Sequence, residues 1–177
     1  MKTCLQPFNI YLLALALFAG CATSEQSKQK KEQSTVRLHL EAFADGTGRN
    51  GQVPVTQQKI MINVEGEAFL TEGDLVDARL IDGMGGFEIE LFFDSHGALV
   101  LDMVTSSSKG KRVVILVQYP QPKPQKQFSR WVAARVIDKR VANGVWTFTP
   151  DLSREEAERI VRGLKNVVAK SKKASKF

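Results

Sequence analysis

The side chains best suited to catalysis in this chain of 177 residues are two histidines, His39 and His96. His96 directly follows Asp94 and Ser95, so the three residue types of a serine hydrolase triad stand side by side. A triad needs side chains that converge in space, and adjacent residues seldom point at one another. Asp or Ser before an apolar periodic run is typical of a helix cap, and we interpret Asp94-Ser95 in that way. His39 is expected on the solvent side of a strand.

The glutamate pair Glu88 and Glu90 is a second candidate for acid–base chemistry. Both alternate with apolar residues, which is typical of the solvated face of a strand. The two cysteines are Cys4 and Cys21, so no thiol remains after residue 21 for a nucleophile, a disulfide or a cysteine-based metal site. The sequence therefore predicts a protein that is not an enzyme and has no catalytic residue, metal or cofactor.

Cys21 closes the stretch Leu17-Phe18-Ala19-Gly20-Cys21, which follows Lys2 and an apolar run that begins at Ile10. That run is too short for a membrane span, which takes about 20 residues. A charged start, an apolar middle and small residues before the end are typical of a secretory signal. The stretch resembles the lipobox of bacterial lipoproteins, with Phe18 as a departure from the usual leucine. The resemblance implies that Cys21 carries diacylglycerol; an ordinary signal peptide is the alternative.

A lipid on Cys21 implies a location on the exported side of a membrane in the bacterial cell envelope. One acyl chain holds a protein only reversibly, whereas two or three hold it stably. Ala22 follows the cysteine. The lack of Asp at that position favours the outer membrane over the inner one if the organism is Gram-negative.

Composition divides the chain into four segments: a signal peptide at 1–20, a flexible tether at 21–35, one domain at 36–169 and a Lys-rich tail at 170–177. The tether has no apolar side chain larger than alanine after Cys21, so it cannot offset the entropy of ordering. The net charge of +6 is concentrated in the tether and the tail. Nucleic acid is not an expected partner of an exported protein. The tail lysines either complement the helix dipole in solvent or attract anionic lipid head groups.

Alternating apolar and polar residues predict several strands. The continuous apolar run of one of them, Arg112–Tyr119, indicates a central strand that is covered on both faces. Asn143-Gly144 indicates a hairpin or tight connection between two others. The remaining predicted strands are Val36–Ala42, Lys59–Val64, Phe87–Phe93, Ser129–Ile137 and Val145–Thr149.

Two helices are predicted. The first covers Ser95–Ser106, with Ala98, Leu101, Met103 and Val104 among its apolar positions. The second begins at the capping box Ser153-Arg-Glu-Glu156, and its apolar face consists of Ala157, Ile160, Val161, Leu164, Val167 and Val168. Ion pairs one turn apart are expected between Glu155 and Arg159 and between Glu158 and Arg162.

Gly163 interrupts this second helix and costs about 1 kcal/mol relative to alanine. A close approach of the helix backbone to the sheet would explain it. A short helical turn, capped by Thr71 and including Leu75 and Val76, is also expected before the strand region.

The order of elements from Phe69 to Val168 resembles the head subdomain of the first periplasmic domain of SecD, a protein-export factor. The resemblance is carried by FLTEGDLVDARL, the strand FEIELFFD, the helix SHGALVLDMV and the final TPDLSREEAERIVRGLK. Leu152-Ser-Arg-Glu-Glu-Ala matches the way the last helix of the family begins. The resemblance implies an α+β fold with a mixed or antiparallel sheet, two main helices on one face, and contact with extended polypeptide.

SecD carries several membrane-spanning helices, and nothing after Val168 is long and apolar, so its motor function is not implied. We expect a non-enzymatic, membrane-anchored envelope lipoprotein whose module binds a protein or an unfolded polypeptide at a strand edge, in connection with protein export. The alternatives are a structural lipoprotein that bridges to anionic lipid or cell wall through its Lys tail, and a hydrolase.

Overall fold

The computed structural model describes residues 29, 32–43, 50–55, 60–83, 85–121 and 127–174. Cys21, the predicted signal peptide, most of the predicted tether and the proline-rich loop at 122–126 lie outside the described residues. Residues Glu32–Phe177 form one compact unit. The described buried residues of this unit form its hydrophobic core.

The strands of the unit form three antiparallel sheets. A large sheet has the order β4-β1-β7-β8, a small sheet has the order β5-β6-β9, and β2 pairs with β3 in a hairpin. This confirms the α+β class with antiparallel strands and two helices. The elements are β1 (Thr35–Leu40), β2 (Asn50–Val55), β3 (Ile60–Glu65), β4 (Leu70–Thr71), a 3-10 helix (Glu72–Asp74), β5 (Leu75–Gly83), β6 (Gly86–Phe93), α1 (Ser95–Ser107), β7 (Arg112–Pro120), β8 (Gln127–Val136), β9 (Val145–Phe148) and α2 (Arg154–Ala174).

Helix α2 packs against strands of both larger sheets, β1 and β7 in one and β5 and β6 in the other. Its start is the predicted capping box: the Ser153 N–H donates to Glu156 Oε2 (3.1 Å), and the Glu156 N–H donates to Ser153 Oγ (3.3 Å). The predicted apolar face is confirmed for five of its six residues, which are buried in the core: Ala157, Ile160, Val161, Leu164 and Val168. The sixth, Val167, is half-buried.

A hydrogen bond between Tyr119 of β7 and Glu156 of α2 fixes the helix on the large sheet. The Tyr119 hydroxyl donates to Glu156 Oε1 at 2.8 Å, and the tyrosine is 0% exposed. Burial, and then the hydrogen bond to the charged Glu156, raise the pKa of Tyr119 to about 12. The phenol therefore remains protonated and keeps donating.

Gly163 lies where α2 passes closest to the chain that enters β1. A Cβ at Gly163 would lie 2.2 Å from Ser34 Oγ and 2.8 Å from the Ser34 N. Ser34 is buried. The expected close approach of the helix backbone is therefore found. The part of the chain that it approaches is the segment that leads into the start of β1.

The predicted tether extends too far. Glu32 contacts α2 twice: its Oε2 lies 3.1 Å from Arg162 Nε, and its carbonyl oxygen accepts from Asn166 Nδ2 at 2.9 Å. Residues 32–35 are polar, and they are ordered by these helix contacts and not by apolar side chains of their own. At the other end, α2 continues to Ala174, so the predicted tail at 170–177 begins inside a helix.

The ion pairs predicted along α2 are wrong. Glu158 pairs with Arg154 (3.3 Å), while Arg162 pairs with Glu32 (3.1 Å). No ion pair joins Glu155 to Arg159 within the described part of the chain. Acidic groups outside the helix compete for its arginines, and helical spacing alone does not reveal them.

The β2–β3 hairpin covers the second face of the large sheet. Val55, Ile62 and Val64 form a separate apolar cluster with Val114 of β7, and Trp131 packs against it. The prediction that β7 is buried on both faces is therefore confirmed.

The prediction that His39 faces solvent is wrong. His39 is 7% exposed, its Nδ1 lies 2.9 Å from the Glu65 carbonyl oxygen, and its ring meets Trp131 edge-on at 5.1 Å between centroids. Because the Glu65 carbonyl only accepts, Nδ1 carries the proton of this hydrogen bond. The alternation of apolar and polar residues along β1 predicts that the His39 side of the strand contacts solvent. The β2–β3 hairpin covers that side.

Three further predictions need correction. Asn143-Gly144 does not close a hairpin, because β8 belongs to the large sheet while β9 pairs with β6. Leu75 begins β5 directly after the 3-10 helix, whose N-cap is Thr71, as expected. Met103 is 63% exposed on the outer side of α1.

The Gly163→Ala variant tests the contact between α2 and Ser34. Helix propensity alone would make alanine about 1 kcal/mol more favourable, but the overlap with Ser34 should reverse the sign and destabilise by about 1–3 kcal/mol. Urea denaturation followed by circular dichroism measures the free energy of unfolding. Ser34→Gly removes the nearest side-chain atoms and should recover part of the loss in the double variant. A gain in stability from Gly163→Ala would contradict this packing.

Candidate functional site

The residues that the sequence placed at the start of α1 serve to cap helices. Asp94 Oδ1 accepts the Gly97 N–H at 2.8 Å, which confirms its role as N-cap. His96 Nδ1 lies 3.1 Å from Asp74 Oδ1, so the imidazole partners a residue of the 3-10 helix. Cys21, the predicted lipidation site, lies outside the described residues.

Asp74, Asp94 and His96 form a cluster whose potential ligand atoms lie within 4.8 Å of one another. Both carboxylates already accept backbone hydrogen bonds: Asp74 Oδ2 from the Thr71 N–H at 3.1 Å, and Asp94 from Gly97. The local caps account for the arrangement, and we assign no metal site to it.

A cleft of about 920 Å³ opens between β8 of the large sheet and β9 of the small sheet. Ligand sites in proteins typically have volumes of about 300–1,000 Å³. Near one end of the cleft the two sheets are connected by a backbone hydrogen bond from the Asp151 N–H to the Val132 carbonyl (2.8 Å). We call this the inter-sheet cleft; it is lined by Ile81, Glu88 and Glu90, by residues 133–135 and 138–143, and by residues 145–149.

Strand β9 is an edge strand, and its free edge faces the inter-sheet cleft. The Phe93 N–H donates to the Gly144 carbonyl (2.9 Å), and the register continues through Leu91–Trp146 and Ile89–Phe148. In an antiparallel pair the hydrogen-bonded positions alternate, so the N–H and C=O groups of Val145 and Thr147 point away from β6.

Two of these four outward groups have partners. The Val145 N–H donates to Asn143 Oδ1 at 3.2 Å, and the Thr147 carbonyl accepts from the guanidinium of Arg135 on β8. Within the described part of the chain, the Thr147 N–H and the Val145 C=O have no partner and form a donor and an acceptor on the cleft wall.

Trp146 is one of two aromatic residues that line the cleft, with Phe148. Trp146 is 3% exposed, and the guanidinium of Arg135 lies over its ring at 5.3 Å from the centroid. The indole Nε1 has no hydrogen-bond partner among the residues that the structure describes. An unpaired buried donor of this kind costs about 1–3 kcal/mol.

Charges in the cleft balance. Its acidic residues match its basic residues in number, so the cleft attracts neither strongly anionic nor strongly cationic ligands. Glu88 and Glu90, expected on a solvated face, are half-buried, and Glu88 Oε1 accepts from the Thr149 hydroxyl at 3.3 Å. The charged lining residues are Glu88, Glu90 and Asp138 on one side and Arg135, Lys139 and Arg140 on the other.

The loop that forms the rim of the cleft is held on α1. Arg140 Nη2 lies 2.7 Å from Asp102 Oδ2, and the Val141 N–H donates to Thr105 Oγ1 at 2.9 Å. The hydrogen bond from Arg140 is the main cause that lowers the pKa of Asp102. Gly144 has φ 68°, and a Cβ there would lie 2.8 Å from Ala98 Cβ, so only glycine fits this end of the loop.

Sequence reasoning missed the inter-sheet cleft. Arg135 and Trp146 lie on predicted strands, but one of the two predicted connections between these strands is a hairpin, which would pair the free edge of β9. The length of the connection between them was the available signal: residues 137–144 are too many for a two-residue hairpin turn.

No protein-family model matches this chain, and no curated protein matches it either. Among solved structures it is similar to SecDF, described as a membrane component that enhances protein export, with 20% identity, a TM-score of 0.54, and coverage of 83% of this chain and 69% of that one. It is also similar to SecDF in a super-membrane-facing form, with 20% identity, a TM-score of 0.54, and coverage of 83% of this chain and 21% of that one.

The likeness to SecDF concerns the fold. It extends over more of the chain than Phe69–Val168, the stretch that carried the resemblance in the sequence. Among the described helices, none is long and apolar enough to cross a membrane. The chain therefore has an α+β module of the kind found in SecDF.

Asp94→Ala and Ser95→Ala together test whether the Asp-Ser-His stretch is a cap. Asp94→Ala should lower the free energy of unfolding by about 0.5–2 kcal/mol, because α1 loses its N-cap acceptor. Ser95→Ala, the matched control one residue away, should change it by less than about 0.5 kcal/mol. Thermal and urea unfolding of both variants measure the difference. Equal losses in the two variants would contradict the assignment.

Proposed function

We propose that this chain is a non-enzymatic envelope lipoprotein, anchored through Cys21, whose module binds an extended segment of another polypeptide in the inter-sheet cleft. The observation that carries the proposal is the free edge of β9. An extended chain laid along that edge adds a strand to the small sheet and pairs with the Thr147 N–H and the Val145 C=O.

The chemistry of the cleft suits an unfolded segment of varied sequence. Main-chain hydrogen bonds provide affinity whatever the side chains are, and the balanced charges exclude few sequences. The cleft remains open because the rim loop is attached to α1 through Arg140 and Val141.

The likeness to SecDF supports a connection with protein export. SecDF is described as a membrane component that enhances protein export. An export-related module meets unfolded chains in the cell envelope, which is the ligand that a free strand edge accepts. The lipobox-like stretch that ends at Cys21 supports the same location.

A proline at residue 147 tests strand addition. Thr147→Pro removes the outward N–H without removing a hydrogen bond to β6, and proline is tolerated on edge strands. Binding of a fluorescently labelled, permanently unfolded polypeptide should fall at least tenfold, as measured by fluorescence anisotropy. Thr147→Val, the matched control, keeps the N–H and should bind like the wild type.

Amide hydrogen exchange supplies a second measurement of the same contact. Exchange of the Thr147 N–H should slow when the unfolded polypeptide is added. Full binding by Thr147→Pro, with the fold intact by circular dichroism, would overturn the cleft as the binding site.

Cys21→Ala tests the anchor. The wild type made in a bacterial host should have the mass of a lipidated chain and remain with the membrane fraction. Cys21→Ala should lose both the mass increase and the membrane association, since two or three acyl chains account for stable anchoring. A wild type of unmodified mass that fractionates as a soluble protein would contradict the anchor and leave the cleft proposal standing.

A further inference from the structure

The C-terminal end of α2 carries a group of exposed lysines. Two of them, Lys170 and Lys173, make no ion pair within the described part of the chain. Lys172 Nζ donates to the Val76 carbonyl at 3.3 Å. Asp77, next to Val76 in the sequence, is engaged by Arg79 at 3.0 Å and by Lys165 at 3.9 Å. We call Lys170, Lys172 and Lys173 the basic end of α2.

The basic end lies on the helix face along which the chain enters the module. Glu32 contacts Arg162 and Asn166. Spacings of four and three residues lead from Asn166 to Lys170 and Lys173, so these residues share one face of the helix. At 1.5 Å per residue, Lys173 lies about 10 Å along the axis from Asn166.

The chain between Cys21 and the module is short. Residues 22–31 can span at most about 36 Å even when fully extended. This stretch also contains Lys28, Lys30 and Lys31. A lipid on Cys21 therefore keeps Glu32, and the basic end beside it, within reach of the bilayer surface.

We propose that the basic end of α2 docks on an anionic lipid bilayer and so orients the module on the membrane. This proposal rests on the proposed anchor in one respect only, which is that the anchor brings the module to a membrane. Charge complementarity selects this partner, because each lysine near an anionic surface strengthens binding about fivefold. Screening by salt should weaken the contact.

Vesicle binding of the unanchored chain tests the docking of the basic end of α2 separately from the anchor and from the cleft. The measurement uses the chain from Ala22, which keeps the whole unit Glu32–Phe177. At low salt it should sediment with phosphatidylglycerol-containing vesicles and not with pure phosphatidylcholine vesicles. Lys170→Gln with Lys173→Gln should weaken this binding at least tenfold.

The matched control is Lys109→Gln with Lys111→Gln, which removes the same charge near the opposite end of β1. Lys111 adjoins Arg112, whose carbonyl accepts the Glu41 N–H just beyond the end of that strand. This control should bind like the wild type. Equal weakening by the two pairs would indicate a response to net charge alone and would overturn the proposed surface.

The orientation of the module on the vesicle surface is a second measurement, because a response to net charge alone would not orient the module. The chain from Ala22 has no cysteine, so a single introduced cysteine carries an environment-sensitive fluorophore at one chosen place. A probe at Ala174→Cys should shift to the blue on anionic vesicles, whereas one at Ser107→Cys should not. Equal shifts at both positions, or binding to neutral vesicles as strong as to anionic ones, would overturn the proposal.

Discussion

The packing of α2 against strands of both larger sheets is the interaction on which the rest of the structure depends. One apolar face, from Ala157 to Val168, buries side chains against β1, β5 and β7. Each fully buried aliphatic side chain contributes about 1.5–3 kcal/mol. Because the same face serves two sheets, it joins them into one core. The absence of a side chain at Gly163 permits the close approach to Ser34 that this packing requires.

The β2–β3 hairpin completes the burial from the other side. Without it, Val114 of β7 and His39 of β1 would face solvent. With it, both are buried, and the imidazole is satisfied at Nδ1 by the Glu65 carbonyl. The large sheet is thus enclosed on two faces, and this leaves its edges as the natural places for contact with other chains.

The inter-sheet cleft is a consequence of the same architecture. The helices pack against both larger sheets, and the edge strands β8 and β9 belong to different sheets and do not pair with each other. Arg135 connects them by donating to the Thr147 carbonyl and lying over Trp146. The inter-sheet cleft therefore combines a free strand edge, an aromatic residue and balanced charges. The fold that provides it is similar to that of SecDF.

The sequence by itself determined the elements whose signals are local. The strand around Ile89, the cap at Asp94, the capping box at Ser153 and the double burial of β7 followed from periodicity and cap chemistry, and the order of elements indicated the SecD-like fold. Only the tertiary structure decided which strands share a sheet, that His39 is buried, that residues 32–35 belong to the module, and that β9 exposes its edge beside Trp146. These depend on contacts between residues distant in sequence, and local patterns of two or four residues carry no information about such contacts.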